Sequence, residues 1–465
     1  MIKRFSLYPA LLALALLIAA CSTDQPMLEP QAEAAQGERY LVVFRQNETP
    51  AGALRALEAH GQVVRTLPQV GVAVMVSDDP AFVAKASRVS NVQEVGVAPA
   101  FAVPETPSAA VQEAPTGADT LYNQGLLWGI DRVHAPQAWE AGITGSHDTV
   151  VAVIDTGIAT NHPDLKENIV YTDCHTSAGS KAEGACTAYP AYSDHGTHVA
   201  GTVAAVFDGG EVVGVGPNLG LAGYNVFEPI PGCGVCAFSD SRWAAMIDAA
   251  ERGFEVINMS LGSMGRRGGQ GTQDLNAFIR AENRVARFVQ REGTIMIASA
   301  GNSATDLNGQ PINLPGGIPG IVNVSATGIR PEPRFPQPGA FDVLAFYSNY
   351  GASITLAAPG GDCGIDGSCD PATRPADWFE HLVLSTTVAP NLTCAATESC
   401  AVGYGWKAGT SMAAPHVAGV AGLVMDQHPN LSPNQVEARL KRTADRVGNP
   451  QGFGAGIVNA FNAAR

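Results

Sequence analysis

Three polar residues with the side chains of nucleophilic catalysis stand at the ends of apolar runs. Asp155 ends the run "VVAVID", His195 precedes the stretch "VAGTVAA", and Ser411 opens the alanine-rich stretch that follows "AGT". In nucleophilic acyl transfer, an imidazole takes the proton of a hydroxyl while a carboxylate holds the imidazole in the correct tautomer. The three residue types match the three roles of that chemistry.

Taken one at a time, these residues have simpler interpretations. An aspartate after a strand is commonly a cap or a phosphoryl-site residue, and His195 with His198 has the spacing of a helical metal pair. Ser411 could be a helix N-cap, although its small neighbours leave room for a ligand beside unpaired backbone N–H groups. A metal-dependent hydrolase would need a further ligand, which the sequence does not indicate.

The segments that must position these side chains begin near residue 121, where short apolar strands alternate with helices. Predicted strands are "TVVAVID", "LAGYNVF", "VINMSL", "TIMIASA" and "IVNVSA", and predicted helices span 197–207, 239–252, 273–292 and 410–427. Continuous apolar strands between helices predict a parallel sheet covered on both faces. Such a sheet presents ligands at the carboxyl ends of its strands.

A smaller domain is predicted over residues 38–102. Its pattern is β-α-β-α-β with an extra strand possible at "QVVRTL", which fits a split βαβ arrangement. Residues 103–120 are rich in proline and lack apolar periodicity, so they are predicted to form an exposed linker that is open to cleavage.

Composition and the first residues indicate an exported, compact protein. The chain is 46% hydrophobic with a net charge of −15, which argues against nucleic-acid partners. Residues 1–20 have the charged and apolar regions of a signal peptide. Cys21 after "IAA" resembles a bacterial lipobox, so residues 21–37 would tether a lipid-anchored precursor and the mature enzyme would be extracellular. An ordinary signal peptide cleaved nearby is the alternative.

Eight cysteines remain after Cys21, an even number that favours disulfides in an exported chain. They fall into four pairs that are close in sequence, and we expect each pair to form a local disulfide: Cys174 with Cys186, Cys233 with Cys236, Cys363 with Cys369, and Cys394 with Cys400.

The motifs "VIDTG", "HGTHVAG" and "GTSMAAPHVAG" occur in the order that is typical of subtilisin-like serine proteases. Residues 121–465 resemble this family, and residues 38–102 resemble its inhibitory propeptide. An α/β-hydrolase would instead need GxSxG with the serine first. A peptide-binding module without activity would have no reason to retain all three catalytic residues.

This resemblance implies a doubly wound, mostly parallel α/β fold, preceded by a small ferredoxin-like α+β domain. It implies a serine endopeptidase that acts on proteins and peptides, made as a self-cleaving zymogen inhibited by its own propeptide and monomeric when mature. Cleavage would fall between about residues 102 and 121. The matching positions are Asn302 as oxyanion donor, Ser260, Leu261 and Gly262 as the substrate-pairing strand, and Asp164, Asp208 and Gln124 as ligands of a structural calcium ion.

Overall fold

The computed structural model describes residues 37–104, 107–110, 120–207, 211–268, 271–330, 341–363 and 377–465. These residues belong to one unit, Ala34–Arg465. The predicted signal peptide, Cys21 and most of the tether lie outside the described residues. Among the helices that are described, none is long and apolar enough to cross a membrane.

The first elements form an antiparallel four-stranded sheet in the order β2-β3-β1-β4. Two short helices connect its strands, giving the split βαβ arrangement, and "QVVRTL" is indeed a strand. The elements are β1 (Glu38–Phe44), α1 (Ala51–Leu57), β2 (Gln62–Leu67), β3 (Val72–Ser77), α2 (Phe82–Ala86) and β4 (Val92–Val97).

The two faces of this sheet have different partners because successive side chains on a strand point in opposite directions. On β1, Val42 and Phe44 pack against Leu57 of α1 and the neighbouring helix. Leu41 and Val43 point the other way and join the core of the larger part of the chain. The sheet is therefore apolar on both faces, and its second face is buried only because the rest of the chain covers it.

Two short strands follow the small sheet, β5 (Ala100–Ala102) and β6 (Ser108–Ala110). The strands after them are β7 (Val150–Asp155), β8 (Ile169–Thr176), β9 (Gly179–Ser180), β10 (Gly220–Asn225), β11 (Glu228–Ile230), β12 (Gly234–Phe238), β13 (Val256–Met259), β14 (Ser263–Arg266), β15 (Ile295–Ser299), β16 (Pro311–Leu314), β17 (Ile321–Arg330), β18 (Phe341–Leu344), β19 (Leu356–Pro359), β20 (Val383–Val388) and β21 (Val402–Lys407).

The helices of the same region include all four that the sequence predicted. They are α3 (Trp128–Arg132), α4 (Ala135–Glu140), α5 (His195–Ala204), α6 (Ser239–Glu251), α7 (Thr272–Arg291), α8 (Leu392–Ala395), α9 (Thr410–Gln427), α10 (Pro433–Thr443), α11 (Pro450–Phe453) and α12 (Ala460–Ala464). Helix α5 begins two residues earlier than predicted, at His195, and ends earlier because Ala205 adopts an extended conformation.

The central sheet has the order β18-β17-β15-β13-β7-β10-β8-β9, and β19 also pairs with β17. Strands β7, β8, β10, β13, β15, β17 and β19 are parallel, whereas β9 and β18 are antiparallel additions. Val151 and Val153 of β7 pack on the side of α5 and α9, and Ala152 and Ile154 on the side of α6 and α7. The mostly parallel α/β fold covered on both faces is confirmed.

Two segments for which no strand is predicted contain strands. The segment "PIPGCGVCAFSD" includes most of the hairpin β11–β12, and β5 pairs with β12. The predicted linker includes β6, which pairs with β21. Neither segment shows the alternating apolar pattern of a strand, and both lie in stretches that contain glycine and proline, which are poor strand formers. A distant segment supplies the pairing in both cases.

Three of the expected disulfides are present in the structure: Cys174–Cys186, Cys233–Cys236 and Cys394–Cys400. Cys363 is also disulfide-bonded. Its expected partner, Cys369, lies outside the described residues.

Candidate active site

Asp155 and His195 meet at the carboxyl end of β7. The Nδ1 atom of His195 lies 2.8 Å from Oδ1 and 3.0 Å from Oδ2 of Asp155. An ionised carboxylate can only accept hydrogen bonds, so Nδ1 carries the proton and Nε2 is left as an unprotonated base in the neutral ring. Both side chains are buried.

The approach of α5 to β7 depends on a glycine beside the histidine. A Cβ on Gly196 would lie 2.4 Å from the carbonyl oxygen of Gly157 and 3.1 Å from the Cβ of Asp155. The Gly196 N–H donates to Oγ1 of Thr156 at 2.9 Å, and the Thr156 N–H donates to Asp155 Oδ1 at 2.7 Å. These contacts hold the start of the helix against the end of the strand, and they explain the glycine of "DHGTH".

Ser411 is the second residue of α9, where backbone N–H groups have no partner within the helix. Pro415 lies four residues later and has no N–H, so it cannot donate to the Ser411 carbonyl as a helix would require. The Ser260 hydroxyl donates to that carbonyl instead, at 2.7 Å. The proline within the helix thus ties Ser411 to the segment that follows β13.

The Ser411 hydroxyl donates to the Ser260 carbonyl at 3.1 Å. The Nε2 atom of His195 is buried and has no hydrogen-bond partner among the described residues. The structure therefore joins Asp155 to His195 and Ser411 to Ser260, while the bond from serine to imidazole is not made in this conformation.

Asn302 reaches the start of α9 through its side-chain oxygen. Its Oδ1 accepts the Thr410 N–H at 2.9 Å and the Thr410 hydroxyl at 2.7 Å. The oxygen of the amide is thereby fixed, which leaves the Nδ2 group as the donor for a ligand. The Thr410 Oγ1 also accepts the N–H of Gly301 at 3.0 Å. Sequence analysis missed Thr410, although it lies between two residues of the quoted motif.

A cavity of about 210 Å³ adjoins Ser411. Its lining combines residues from the start of α9 and the end of β15 with two residues from the N-terminal part of the chain. The lining includes Ala102, Pro104, Gly262, Asn302, Thr410 and Ser411.

Of the three residues predicted to pair with the substrate, one lines this cavity and two do not. Gly262 lines it, whereas Ser260 and Leu261 are buried. The observed backbone pairing of the N-terminal segment is with β12, where Ala102 lies opposite Cys236 and Val103 donates to the Val235 carbonyl at 3.2 Å. The β12 strand is not among the strands that the sequence predicts.

Two of the three predicted calcium ligands lie within the described residues. Asp164 is buried, and its Oδ2 accepts the N–H groups of Glu211 and Val212 at 3.2 and 3.1 Å. Its Oδ1 accepts the Tyr404 hydroxyl at 3.2 Å. Protein donors therefore bind both oxygens, and calcium requires six to eight oxygen ligands. Gln124 is among the described residues, whereas Asp208 is not, and the calcium site stays a prediction.

The predicted alternative of a His195–His198 metal pair does not fit the contacts of His198. Its Nε2 lies 3.1 Å from the carbonyl oxygens of both Val383 and Gly405, so this nitrogen carries a proton and cannot bind a metal. Burial lowers the pKa of His198 well below its ordinary value. The ring is a buried, neutral structural group.

Among the described residues, one group of three could hold a metal ion: Asp173, His175 and Asp248. These residues lie on β8 and α6. The Arg252 guanidinium is 2.7 Å from Asp248, and it opposes a second cation there. This group is not part of the Asp155–His195 arrangement.

The sequence profile of the subtilase family, peptidase S8, matches residues 146–456. This chain belongs to the subtilase family. The match includes Asp155, His195, Asn302 and Ser411, and the subtilase is accordingly a serine endopeptidase, as the sequence predicted. A metal-dependent hydrolase and an inactive binding module were the alternatives, and membership of this family of serine endopeptidases supports neither of them.

Several known proteins are similar to this subtilase. It is 32% identical to alkaline elastase YaB of Bacillus sp. (strain YaB) over 353 residues, which cover 75% of this chain and 72% of the elastase. It is 29% identical to subtilisin E of Bacillus subtilis over 348 residues, with 74% and 72% covered. The fold is similar to the epidermin leader peptide processing serine protease of Staphylococcus aureus, with a TM-score of 0.70, 20% identity, and 92% and 97% covered.

Proposed function

We propose that this subtilase is an exported zymogen that cuts its own chain next to residues 100–104 and then hydrolyses other proteins. The single observation that carries this proposal is the course of the chain beside Ser411. Residues 100–102 add to β12, Ala102 and Pro104 line the cavity with Ser411, and residues 108–110 add to β21. Two extended segments that add to strands by backbone pairing have the geometry of the parts of a bound peptide substrate.

In the proposed reaction, the Asp155–His195 pair activates Ser411. The hydroxyl turns from the Ser260 carbonyl to the unpaired Nε2 of His195, which takes its proton as Oγ attacks the peptide carbonyl. Asp155 keeps the imidazole in the required tautomer and stabilises its positive charge. His195 then gives the proton to the leaving amine, and water hydrolyses the acyl-enzyme in a second step.

The developing oxyanion would receive two hydrogen bonds. The Nδ2 group of Asn302 is one donor, because Thr410 occupies the amide oxygen. The N–H of Ser411, at the start of α9, is the other. Donors that are already oriented need no reorganisation when charge develops, which is why they lower the barrier.

The backbone pairing before and after the cavity narrows the range of peptide bonds at which we propose self-cleavage. Val103 donates to Val235 before the cavity, and beyond it the Ala408 N–H donates to the Pro107 carbonyl at 2.9 Å. Pro104 lines the cavity itself. We therefore place the self-cleaved bond between Pro104 and Pro107, within the broader range that the sequence indicated.

The experiment compares the wild-type chain with Ser411→Ala, both expressed with the complete N-terminus. The wild type is expected to yield a protein that begins at residue 105, 106 or 107 by N-terminal sequencing. The Ser411→Ala chain should remain uncut, since it has no nucleophile. A Ser399→Ala chain, altered at an exposed hydroxyl away from β7, is the matched control and should be processed like the wild type.

A Ser411→Ala chain that is cut at the same bond after purification would show that another protease does the work. A processed wild-type enzyme whose first residue lies far from 105–107 would contradict the proposed position of the cleaved bond. The proposal of export rests on the predicted signal peptide. The lipid anchor is tested by comparing the wild-type precursor with Cys21→Ser: the wild type should be retained in membranes, and the variant should not.

A further inference from the structure

One carboxylate of the larger part of the chain binds two arginines of the N-terminal sheet. Asp240, at the start of α6, accepts hydrogen bonds from Arg39 Nε at 3.1 Å and from its NH2 group at 2.7 Å. The Nε of Arg65 forms a second ion pair with it at 2.8 Å. Asp240 is fully buried under these groups. Burial alone would raise its pKa, but the charges of Arg39 and Arg65 lower it below the ordinary value.

The surroundings of Asp240 are suited to a guanidinium group. The Arg39 guanidinium lies over the ring of Phe238 at 4.6 Å from the ring centre. The Arg65 guanidinium also donates to the backbone carbonyl of Thr176. A carboxylate whose two oxygens can both accept, an aromatic face and a carbonyl form a combination that recognises arginine more strongly than lysine, because lysine lacks the planar fork.

This site adjoins the strand that pairs with the bound segment. Phe238 lies opposite Ala100 in the β5–β12 ladder, and the Ser239 N–H donates to the Pro99 carbonyl at 3.2 Å. The backbone carbonyl of Arg39 accepts the N–H of Ala98 at 2.8 Å. A peptide that replaces residues 98–104 would therefore place its first residues within side-chain reach of Asp240.

Removal of residues 38–104 leaves this carboxylate without either arginine. Glu228, on the strand next to β12, adds to the negative charge of the region, and the charge of Arg39 acts on it as well. Two acidic groups beside an aromatic ring would then face the upstream end of any peptide bound along β12.

We propose that Asp240 and Phe238 form a binding site for an arginine side chain of the substrate, at the positions that Ala98 and Pro99 occupy here. The inference rests on the proposed function, since the site is vacated only when the N-terminal segment leaves. Asp240 would then determine specificity at a position remote from the cleaved bond. In the zymogen, Arg39 and Arg65 fill the site that a substrate arginine would take.

The test uses enzyme processed from the full chain and fluorogenic peptides with the sequence of residues 96–110. One peptide carries arginine in place of Ala98 and another carries citrulline, which is neutral and has the same shape. We expect kcat/KM to be about tenfold higher for the arginine peptide, and the gain to shrink at high salt. A lysine peptide should show a smaller gain. A second series repeats the comparison at Pro99.

The variant Asp240→Asn should reduce the arginine-to-citrulline ratio to about one. Asp248→Asn, on the same helix and with the same change of charge, is the matched control and should keep the ratio. Equal rates for arginine and citrulline in the wild-type enzyme, at both positions, would overturn the inference even if the variant failed to fold. Cleavage of neither peptide, nor of casein, would instead count against the proposed function itself.

Discussion

At the scale of single residues, the Thr410 side chain donates to the Oδ1 of Asn302, the proposed oxyanion donor. Without its hydroxyl, the Asn302 Oδ1 keeps only the hydrogen bond from the Thr410 backbone N–H, so the amide is held less firmly in the orientation that presents Nδ2 to the substrate. We expect Thr410→Val to lower kcat about tenfold, and Asn302→Ala to lower it roughly 10² to 10³-fold, with KM little changed in both. Steady-state kinetics with one peptide substrate measures this. Thr410→Ser retains the hydroxyl and should stay close to the wild type; an equal loss in Thr410→Ser would contradict the positioning role.

His416 gives a second prediction at this scale, on stability. Its Nδ1 donates to the Met412 carbonyl at 2.8 Å, while Nε2 is buried without a partner among the described residues. Burial lowers the pKa of His416 to about 4. The unfolded chain takes up this proton below its ordinary pKa, about 6.5. Stability from the neutral ring is thus complete above pH 6.5 and is lost as pH falls towards 4.

The pH prediction is measured as the free energy of unfolding in the Ser411→Ala background, where self-digestion cannot occur. Between pH 6.5 and 4, His416→Gln should lose less stability than the parent. His147→Gln, which alters an exposed histidine, is the control and should follow the parent. Parallel curves for His416→Gln and the parent would show that this ring does not carry the acid sensitivity.

At the scale of elements, the hairpin β11–β12 holds the upstream half of the bound segment. Its disulfide, Cys233–Cys236, closes the turn that leads into β12, and Cys236 lies opposite Ala102. Replacing both cysteines by serine should raise KM for peptides that extend along β12 by roughly threefold to tenfold, because the strand must be ordered on binding.

The kinetic comparison pairs a long peptide with a short one that fills only the cavity at Ser411. We expect the short peptide to keep its KM. The matched control removes Cys394 and Cys400, whose disulfide is not in the β11–β12 hairpin. If the long peptide kept its KM as well, the bridge would have no part in substrate binding.

At the scale of the whole molecule, the N-terminal sheet and the larger part share a core. Leu41 and Val43 pack in the same cluster as Phe278 and Val285 of α7, and Arg284 donates to backbone carbonyls of the sheet, including Phe44 at 2.7 Å. Cutting the linker therefore does not by itself separate the two parts. In the proposed processing, release of the N-terminal sheet would expose its apolar face, and we expect this cost to delay activity after cleavage.

The calcium prediction also belongs to this scale, because the predicted ligands come from distant parts of the chain. A bound ion would stabilise only the folded state, so treatment with a chelator should lower the melting temperature of the processed enzyme. Thermal unfolding with chelator, and again after added calcium or magnesium, measures this. Recovery with calcium alone supports the site. An unchanged melting temperature would show that the hydrogen bonds to Asp164 hold this region without an ion.

Much of the candidate site was predictable because it depends on short motifs. Asp155, His195 and Ser411 each lie in a local pattern of apolar and small residues that fixes a strand end or a helix start. The parallel sheet was predictable for the same reason, since its strands are continuous apolar runs between helices. Thr410 was missed because its role is a hydrogen bond across 108 residues of chain, and no local pattern reports such a bond.

The sequence by itself determined the fold class, through continuous apolar strands that alternate with helices, and the family, through the resemblance of three short motifs and their order along the chain. Only the tertiary structure decided where the N-terminal segment lies, that β12 receives it, and that two arginines share Asp240. These features depend on pairing between segments that carry no strand pattern of their own. Backbone hydrogen bonds do not depend on side-chain identity, so the packing of the folded chain determines which segment pairs with an edge strand.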